Sequence, residues 1–349
     1  MNILNGSKEK AIEFFSRLDK EDRTALISHT DLDGIASAKI VNKIFNADII
    51  KFVNYSDLNE NLVAELELEG VNKIIMTDLM IEAEKNDFVK GLENFADLLI
   101  IDHHPPNTDL NSDKTIFIIC EEGYCASYLC YKILNDVGNL EDLDWIAACA
   151  SISDFCNVKN REWIENVFLK YGERLDNEIK LGFDMEEINK YKIYELQWKL
   201  SLAIIYFKDN LHMVFDSIKS KFGDIGDLEK YYLKVKDEID KAILEFDSNK
   251  KDFPGGHYFE FNPKFGIASI TSNLISTKYS SKTIVIARPK GDNYVVSARR
   301  HDSGDNMNDL LRFCMRGFSD FACGGHLSAA GGYYPKKYLD EFKRRLGVK

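Results

Sequence analysis

Three short apolar runs in the first third of the chain each stop at acids or histidines. Ala25-Leu26-Ile27 leads into His29, Asp31 and Asp33, residues 73–77 stop at Asp78, and residues 97–101 stop at Asp102-His103-His104. Runs of this length, rich in Ile and Leu, predict buried strands. The stretches around them carry apolar residues at helical spacing, over 8–18, from 35 through 45, and over 58–68, with a further strand over 48–53. Strands alternating with helices dictate a parallel sheet covered by helices, and such sheets bind ligands beyond the carboxyl ends of their strands. One acidic strand end is unremarkable. Three of them share one neighbourhood and predict a site for a hard divalent cation.

The first of these ends has two readings. If the backbone stays extended past Ile27, Asp31 and Asp33 face the same way, His29 joins them, and Gly34 admits a sharp bend into a helix starting at Ile35. The alternative is an Asp-rich turn in which an aspartate caps the helix. A later helical stretch, 143–151, delivers Asp154.

From 161 to about 251 the composition shifts to long charged helices with scattered aromatics, expected over 185–191, 196–207 and 228–246. This reads as a helical linking segment. Pro254-Gly255-Gly256 marks a boundary, and strand-like runs follow at 266–270, 283–287 and 294–298, the last two joined by a hairpin turn within 288–293. Two polar features come next, Ser297-Ala298-Arg299-Arg300 and Cys323-Gly324-Gly325-His326 running on to Gly332. Glycines before a histidine allow a close backbone approach to a phosphate, and arginine offers a fork for its oxygens; a plain tight loop is the other reading.

Charge narrows the function. With 57 acidic against 45 basic residues the net charge is −12, which opposes a broad non-specific nucleic-acid surface. A short phosphate ligand, neutralised locally by metal and a few arginines, fits better. Seven cysteines with no CxxC pair suggest reduced thiols and a cytoplasmic location, and Cys120, Cys125 and Cys130, five apart, have no zinc-ligand spacing. No uncharged apolar stretch of about 18 residues predicts a membrane span, and the first residues lack the apolar length of a signal peptide.

Taken together, Asp31-Leu32-Asp33-Gly34, Asp78, Asp102-His103-His104 and Asp154, followed by Ser297-Ala298-Arg299, Gly324-Gly325-His326 and Ala329-Ala330-Gly331, resemble the DHH phosphoesterase superfamily in its subfamily with a DHHA1 C-terminal domain. That group includes RecJ-type exonucleases, oligoribonucleases (nanoRNases) that also dephosphorylate 3′-phosphoadenosine 5′-phosphate, and cyclic-dinucleotide phosphodiesterases. The resemblance implies an α/β chain with a parallel-sheet DHH catalytic domain over 1–160, a helical linking segment over 161–253 and a smaller α/β DHHA1 substrate-binding domain over 254–349. It implies two Mn²⁺ ions, with Mg²⁺ or Co²⁺ as substitutes, one held by Asp31 and Asp78 and the other by Asp33, Asp78, His103 and Asp154. Two cations a few ångströms apart polarise a phosphoryl group, and a bridging water of lowered pKa becomes a hydroxide nucleophile.

Asp102 is expected to orient a motif histidine, His104 to contact the phosphate and protonate the leaving oxygen, and Arg299, Ser297, Gly324, Gly325 and His326 to bind substrate. Two departures stand out. Many relatives have a histidine where this chain has Ile27, which makes His29 the substitute first-metal ligand, and Cys323 replaces the first of three glycines. The expected activity is hydrolysis of short oligonucleotides or linear dinucleotides to nucleoside 5′-monophosphates, in a protein compatible with a homodimer. The alternatives are a RecJ-like exonuclease, a 3′-phosphoadenosine 5′-phosphate phosphatase, a cyclic-dinucleotide phosphodiesterase, and a non-catalytic binding protein of the same fold.

Overall fold

The computed structural model describes residues 1–105, 108–175, 185–302, 304–325 and 327–349. The chain forms two compact units, Met1–Glu229 and Lys230–Lys349.

In the first unit, β1 (Ile3–Asn5) and α1 (Lys8–Ser16) precede β2 (Thr24–His29), α2 (Leu32–Phe45), β3 (Ile49–Val53), α3 (Glu60–Leu68), β4 (Lys73–Thr77), α4 (Asn86–Glu93), β5 (Asp97–Asp102) and β6 (Thr115–Cys120). The sheet order is β1-β6-β5-β4-β2-β3, parallel except for β1. Chain order reverses beside β2: β3 lies on one side of it, while β4, β5 and β6 extend from the other. That is the topological switch point where open α/β sheets form ligand crevices. Ser28, Thr77 and Ile101 share one register row, so His29, Asp78 and Asp102 follow in the next.

Strands β2, β4, β5 and β6 are buried on both faces, as their unbroken apolar runs require. One face, with Ala25, Ile27, Ile74, Met76, Leu98 and Ile100, packs on Leu62 and Leu66 of α3 and on Phe88 and Leu92 of α4. On the other side α2 is buried on nearly every side among the sheet, α5 (Ala126–Leu134) and α6 (Asp144–Ser153). Among the described residues four more helices belong to the unit, α7 (Arg161–Lys170), α8 (Met185–Lys190), α9 (Lys192–Tyr206) and α10 (His212–Ser217), with α9 packed on α6.

The expected bend at Gly34 is replaced by something tighter. α2 begins at Leu32, because the Asp31 carboxylate accepts a hydrogen bond from the Gly34 amide at 3.0 Å and caps the helix. Strand β2 ends at His29, Asp31 is the extended N-cap and Asp33 is already helical, so Asp31 and Asp33 do not share a strand face. Gly34 serves a different need: a Cβ there would lie 2.3 Å from the His29 carbonyl oxygen.

The second unit contains most of α11 (Glu229–Asn249), then β7 (Lys251–Phe253), β8 (Gly256–Glu260), α12 (Ala268–Lys278), β9 (Thr283–Lys290), β10 (Asn293–Arg299), α13 (Met307–Met315), β11 (Ala322–Gly325), β12 (Ala329–Pro335) and α14 (Leu339–Leu346). Its sheet, ordered β11-β12-β10-β9-β8-β7, is antiparallel except between β8 and β9. The run 266–270, expected as a strand, instead leads into α12, which begins at Ala268. Ala268, Thr271, Ser272 and Ile275 are buried at helical spacing, a period that five residues are too few to reveal. Nor is the glycine-rich stretch a loop throughout: Cys323, Gly324 and Gly325 pair with Gly332, Gly331 and Ala330. Pro254-Gly255 makes the turn between β7 and β8.

Candidate metal centre

Five elements of the first unit bring charged groups to the carboxyl edge of its sheet. His29 ends β2 and Asp31 caps α2; Asp33 lies in the first turn of α2. Asp78 follows β4 in the left-handed region at φ 57°, a conformation aspartate tolerates better than most residues, with its amide donating to the Ile101 carbonyl. Asp102 ends β5 with His103 and His104 beyond it, and Asp154 closes the C-terminus of α6.

The distances are short. His29 Nδ1 lies 3.0 Å from Asp31 Oδ2 and 3.7 Å from Asp78 Oδ2. His103 Nε2 lies 3.3 Å from Asp78 Oδ1, 3.5 Å from Asp154 Oδ2 and 4.0 Å from Asp33 Oδ2. His104 Nδ1 bonds Asp102 Oδ1 at 2.8 Å, which leaves Nε2 as its outward atom. Asp33 is anchored separately: its two oxygens accept from the amides of Ala126 at 2.7 Å and Ser127 at 2.9 Å, so it caps α5 from another element. Beneath, Ser28 Oγ donates to the Gly34 carbonyl at 2.7 Å and lies 2.7 Å from Thr77 Oγ1, tying β2, α2 and β4 together.

Electrostatics mark the cluster as over-supplied with negative charge. Burial, then repulsion from Asp33 and Asp31, holds the Asp78 carboxyl well above its usual range. Burial and Asp33 push Asp154 up to about 7. Burial opposes protonation of His29 and His103, but the carboxylates beside each override it and hold both imidazoles up to about 10. Asp31, opposed by burial, is carried down to about 2 by His29 and the Gly34 amide.

Protons thus do the work in this cluster that cations would do. Two buried atoms, His29 Nδ1 and Asp78 Oδ2, make no hydrogen bond at all, despite their ionic neighbours. Carboxylate and imidazole donors lie within 4.8 Å of one another in two groups, His29 with Asp31 and Asp78, and Asp78 with Asp102, His103 and His104; His103 and Asp154 form a third with Cys156. This hard, mixed donor set suits Mn²⁺ or Mg²⁺, so the residues fit a divalent-metal site. Ile27 is buried in the apolar cluster and has no access to it.

In the second unit, Arg299 donates to the carbonyls of Ala298 and Ala330 at 2.9 and 3.2 Å and to Ser269 Oγ at 2.8 Å. Ser297 is buried and lies 2.8 Å from Ser272 Oγ, while Arg300 is held by Asp302 and Asp305. Gly324 faces open space. At Gly325, with φ 145°, a Cβ would lie 2.3 Å from the Ala329 carbonyl oxygen, so here the close approach is to β12. His326 lies outside the described residues.

Sequence reasoning missed Tyr55, which stacks on His29, and the α5 amides that hold Asp33. Tyr55 lies two residues past the end of β3, at the edge where Asp78 follows β4, a positional signal available from the strand pattern.

The family described as DHH family, N-terminal domain, matches residues 23–154, and the DHHA1 domain matches 256–347. The chain belongs to the DHH/DHHA1 phosphoesterase family and is a metal-dependent phosphoesterase. Comparison with curated proteins finds no sequence match. Among solved structures, the exonuclease RecJ bound to manganese superposes with a TM-score of 0.64 at 15% identity, covering 99% of this chain and 94% of that one. RecJ from Thermus thermophilus in complex with Mn²⁺ gives 0.64 at 15% identity, covering 97% of this chain and 53% of the other. The pGpG-specific phosphodiesterase PggH from Vibrio cholerae gives 0.55 at 13% identity, covering 93% and 97%.

Proposed function

We propose that the chain is an Mn²⁺-dependent phosphodiesterase that hydrolyses short oligonucleotides or linear dinucleotides to nucleoside 5′-monophosphates. The observation that carries this reading is Asp78, a buried carboxylate facing His29 on one side and His103 on the other, with Oδ2 unpartnered. In it Asp31, Asp78 and His29 hold one cation, and Asp33, Asp78, His103 and Asp154 the other, with Mg²⁺ or Co²⁺ as substitutes. The cations supply charge neutralisation at the phosphoryl group and an activated water.

The protein's own residues do the rest. Asp102 fixes the His104 ring so that Nε2 faces outward to contact the phosphate and to pass a proton to the departing oxygen. Asp33, pinned to the α5 amides, keeps its carboxylate in place whether or not substrate is present. Arg299, Ser297, Gly324, Gly325 and His326 are assigned to substrate binding, Arg299 directly and Ser297 through the β10 backbone that it steadies. The net charge of −12 favours short substrates over long ones.

Hydrolysis of pGpG and of a long single strand, each in Mn²⁺ and each repeated with Asp78→Ala, tests the reading. Preferential turnover of the dinucleotide, lost in the variant, is expected. Equal turnover of the long strand favours a RecJ-like exonuclease, the second reading, which the RecJ likeness supports. An unaffected variant overturns the metal assignment. A cyclic dinucleotide and 3′-phosphoadenosine 5′-phosphate complete the panel.

A further inference from the structure

We propose that Tyr55 is the positioning residue for both outer histidines of the centre, holding His29 through its ring and His104 through its hydroxyl. The proposal rests on the metal-dependent reading above and adds a residue to it.

The loop after β3 is built to present this side chain. The Asn54 amide donates to Asp57 Oδ2 at 2.8 Å and the Asp57 amide returns to the Asn54 carbonyl at 2.9 Å, closing a tight turn around Tyr55. Thr30, between His29 and Asp31, donates its hydroxyl to Asn54 Oδ1 at 3.1 Å, so the turn is tied to the first motif itself. Val53 pairs with His29 across the sheet, and Tyr55 therefore emerges beside the histidine rather than below it.

Two contacts follow. The Tyr55 ring stacks on the His29 imidazole with centroids 4.9 Å apart and planes 23° from parallel. Asp31 Oδ2 lies 3.0 Å from His29 Nδ1 but outside hydrogen-bond geometry, so this ion pair holds the nitrogen without fixing the imidazole plane, which the stack sets. The phenol oxygen lies 3.5 Å from His104 Nε2, while Asp102 holds the opposite nitrogen at 2.8 Å. His104 is thus flanked at both nitrogens and rotation of its ring is restrained before substrate arrives; the long Tyr55 contact then gives way at Nε2 to the phosphate, while Asp102 keeps Nδ1. Preorganisation of this kind lowers the cost of reaching the reactive geometry.

The ring and the hydroxyl act on different histidines, so two variants separate them. Tyr55→Phe keeps the stack and removes the oxygen; Tyr55→Ala removes both. Mn²⁺ affinity, measured by calorimetry without substrate, is expected to stay within about twofold of wild type in Tyr55→Phe and to fall about 10-fold or more in Tyr55→Ala, the usual scale for a residue supporting a metal ligand. In steady-state hydrolysis of a dinucleotide, Tyr55→Phe is expected to lower kcat about 10-fold at unchanged KM. Equal loss of Mn²⁺ affinity in both variants, or wild-type affinity in Tyr55→Ala, overturns the stacking role. Wild-type kcat in Tyr55→Phe overturns the hydroxyl role. If the native protein turns over no nucleotide, the substrate reading fails, while the calorimetric split still decides the stacking role.

Discussion

Replacing Asp78 by asparagine is expected to stabilise the metal-free protein while destroying its response to metal. The substitution keeps the shape of a side chain only 2% exposed, and asparagine tolerates the φ of 57° that this position requires. It removes a charge that burial, Asp33 and Asp31 all disfavour, against which stand only His103 at 3.3 Å and His29 at 3.7 Å. Relief of such a functional compromise is worth about 1 to 2 kcal/mol. For a unit of this size, Met1–Glu229, that raises the melting temperature by roughly 3 to 6 °C. Cation binding works the other way: Mn²⁺ at about 100 times its Kd stabilises wild type by about 2.7 kcal/mol and leaves the variant where it was. Thermal melts in a chelator and in excess Mn²⁺ should therefore show the two proteins in opposite order. A variant that melts below wild type in the chelator, or that gains as much from Mn²⁺, refutes the reasoning.

Metal loading should also release protons. His29 and His103, held up to about 10 by neighbouring carboxylates, contribute stability that is full below the ordinary histidine pKa and is lost as pH rises through about 10. Ligation needs neutral rings and ionised carboxylates, so at pH 7 at least two protons should leave on Mn²⁺ binding, one from each histidine with a further share from Asp154 and Asp78, read from calorimetry in buffers of different ionisation enthalpy; none leaving would contradict the assignment. Asp33→Ala strips two charge-assisted hydrogen bonds from the start of α5 and should cost about 3 kcal/mol in urea denaturation of the metal-free protein, a loss that would not occur if the carboxylate served metal alone. Gly325→Ala, driven against the Ala329 carbonyl, should destabilise the protein by about 2 kcal/mol or more, while Gly324→Ala, facing open space, should stay within about 0.5 kcal/mol.

The strands that carry the site were legible because they are buried on both faces and so spell unbroken apolar runs; residues 73–77 form β4 as read, and 97–101 form all but the last residue of β5. What lay beyond their ends was harder. Spacing of two placed Asp31 and Asp33 on one strand face, but a carboxylate three residues before an amide also makes a cap, and the cap won. The partners of Asp33 lie 93 and 94 positions away, and no local pattern encodes a contact of that range. Tyr55 carries neither an acid nor an imidazole, the groups by which the centre was sought. The glycines of β11 and β12 look like a loop until their cross-strand neighbours are known: a Cβ on Gly332 would lie 2.5 Å from the Ala322 carbonyl oxygen.

Asp33 answers to two masters. Its charge is already shared with the positive end of α5 through two amide protons, which makes it a weaker electron donor than a carboxylate with free lone pairs. In the ligand sets proposed above, one position relies on this shared carboxylate. The same linkage runs in reverse: an ion seated there draws on a group that also fixes the first turn of α5, so the start of that helix becomes a reporter of occupancy. A probe placed beside Ser127 would register filling of that position without any substrate present.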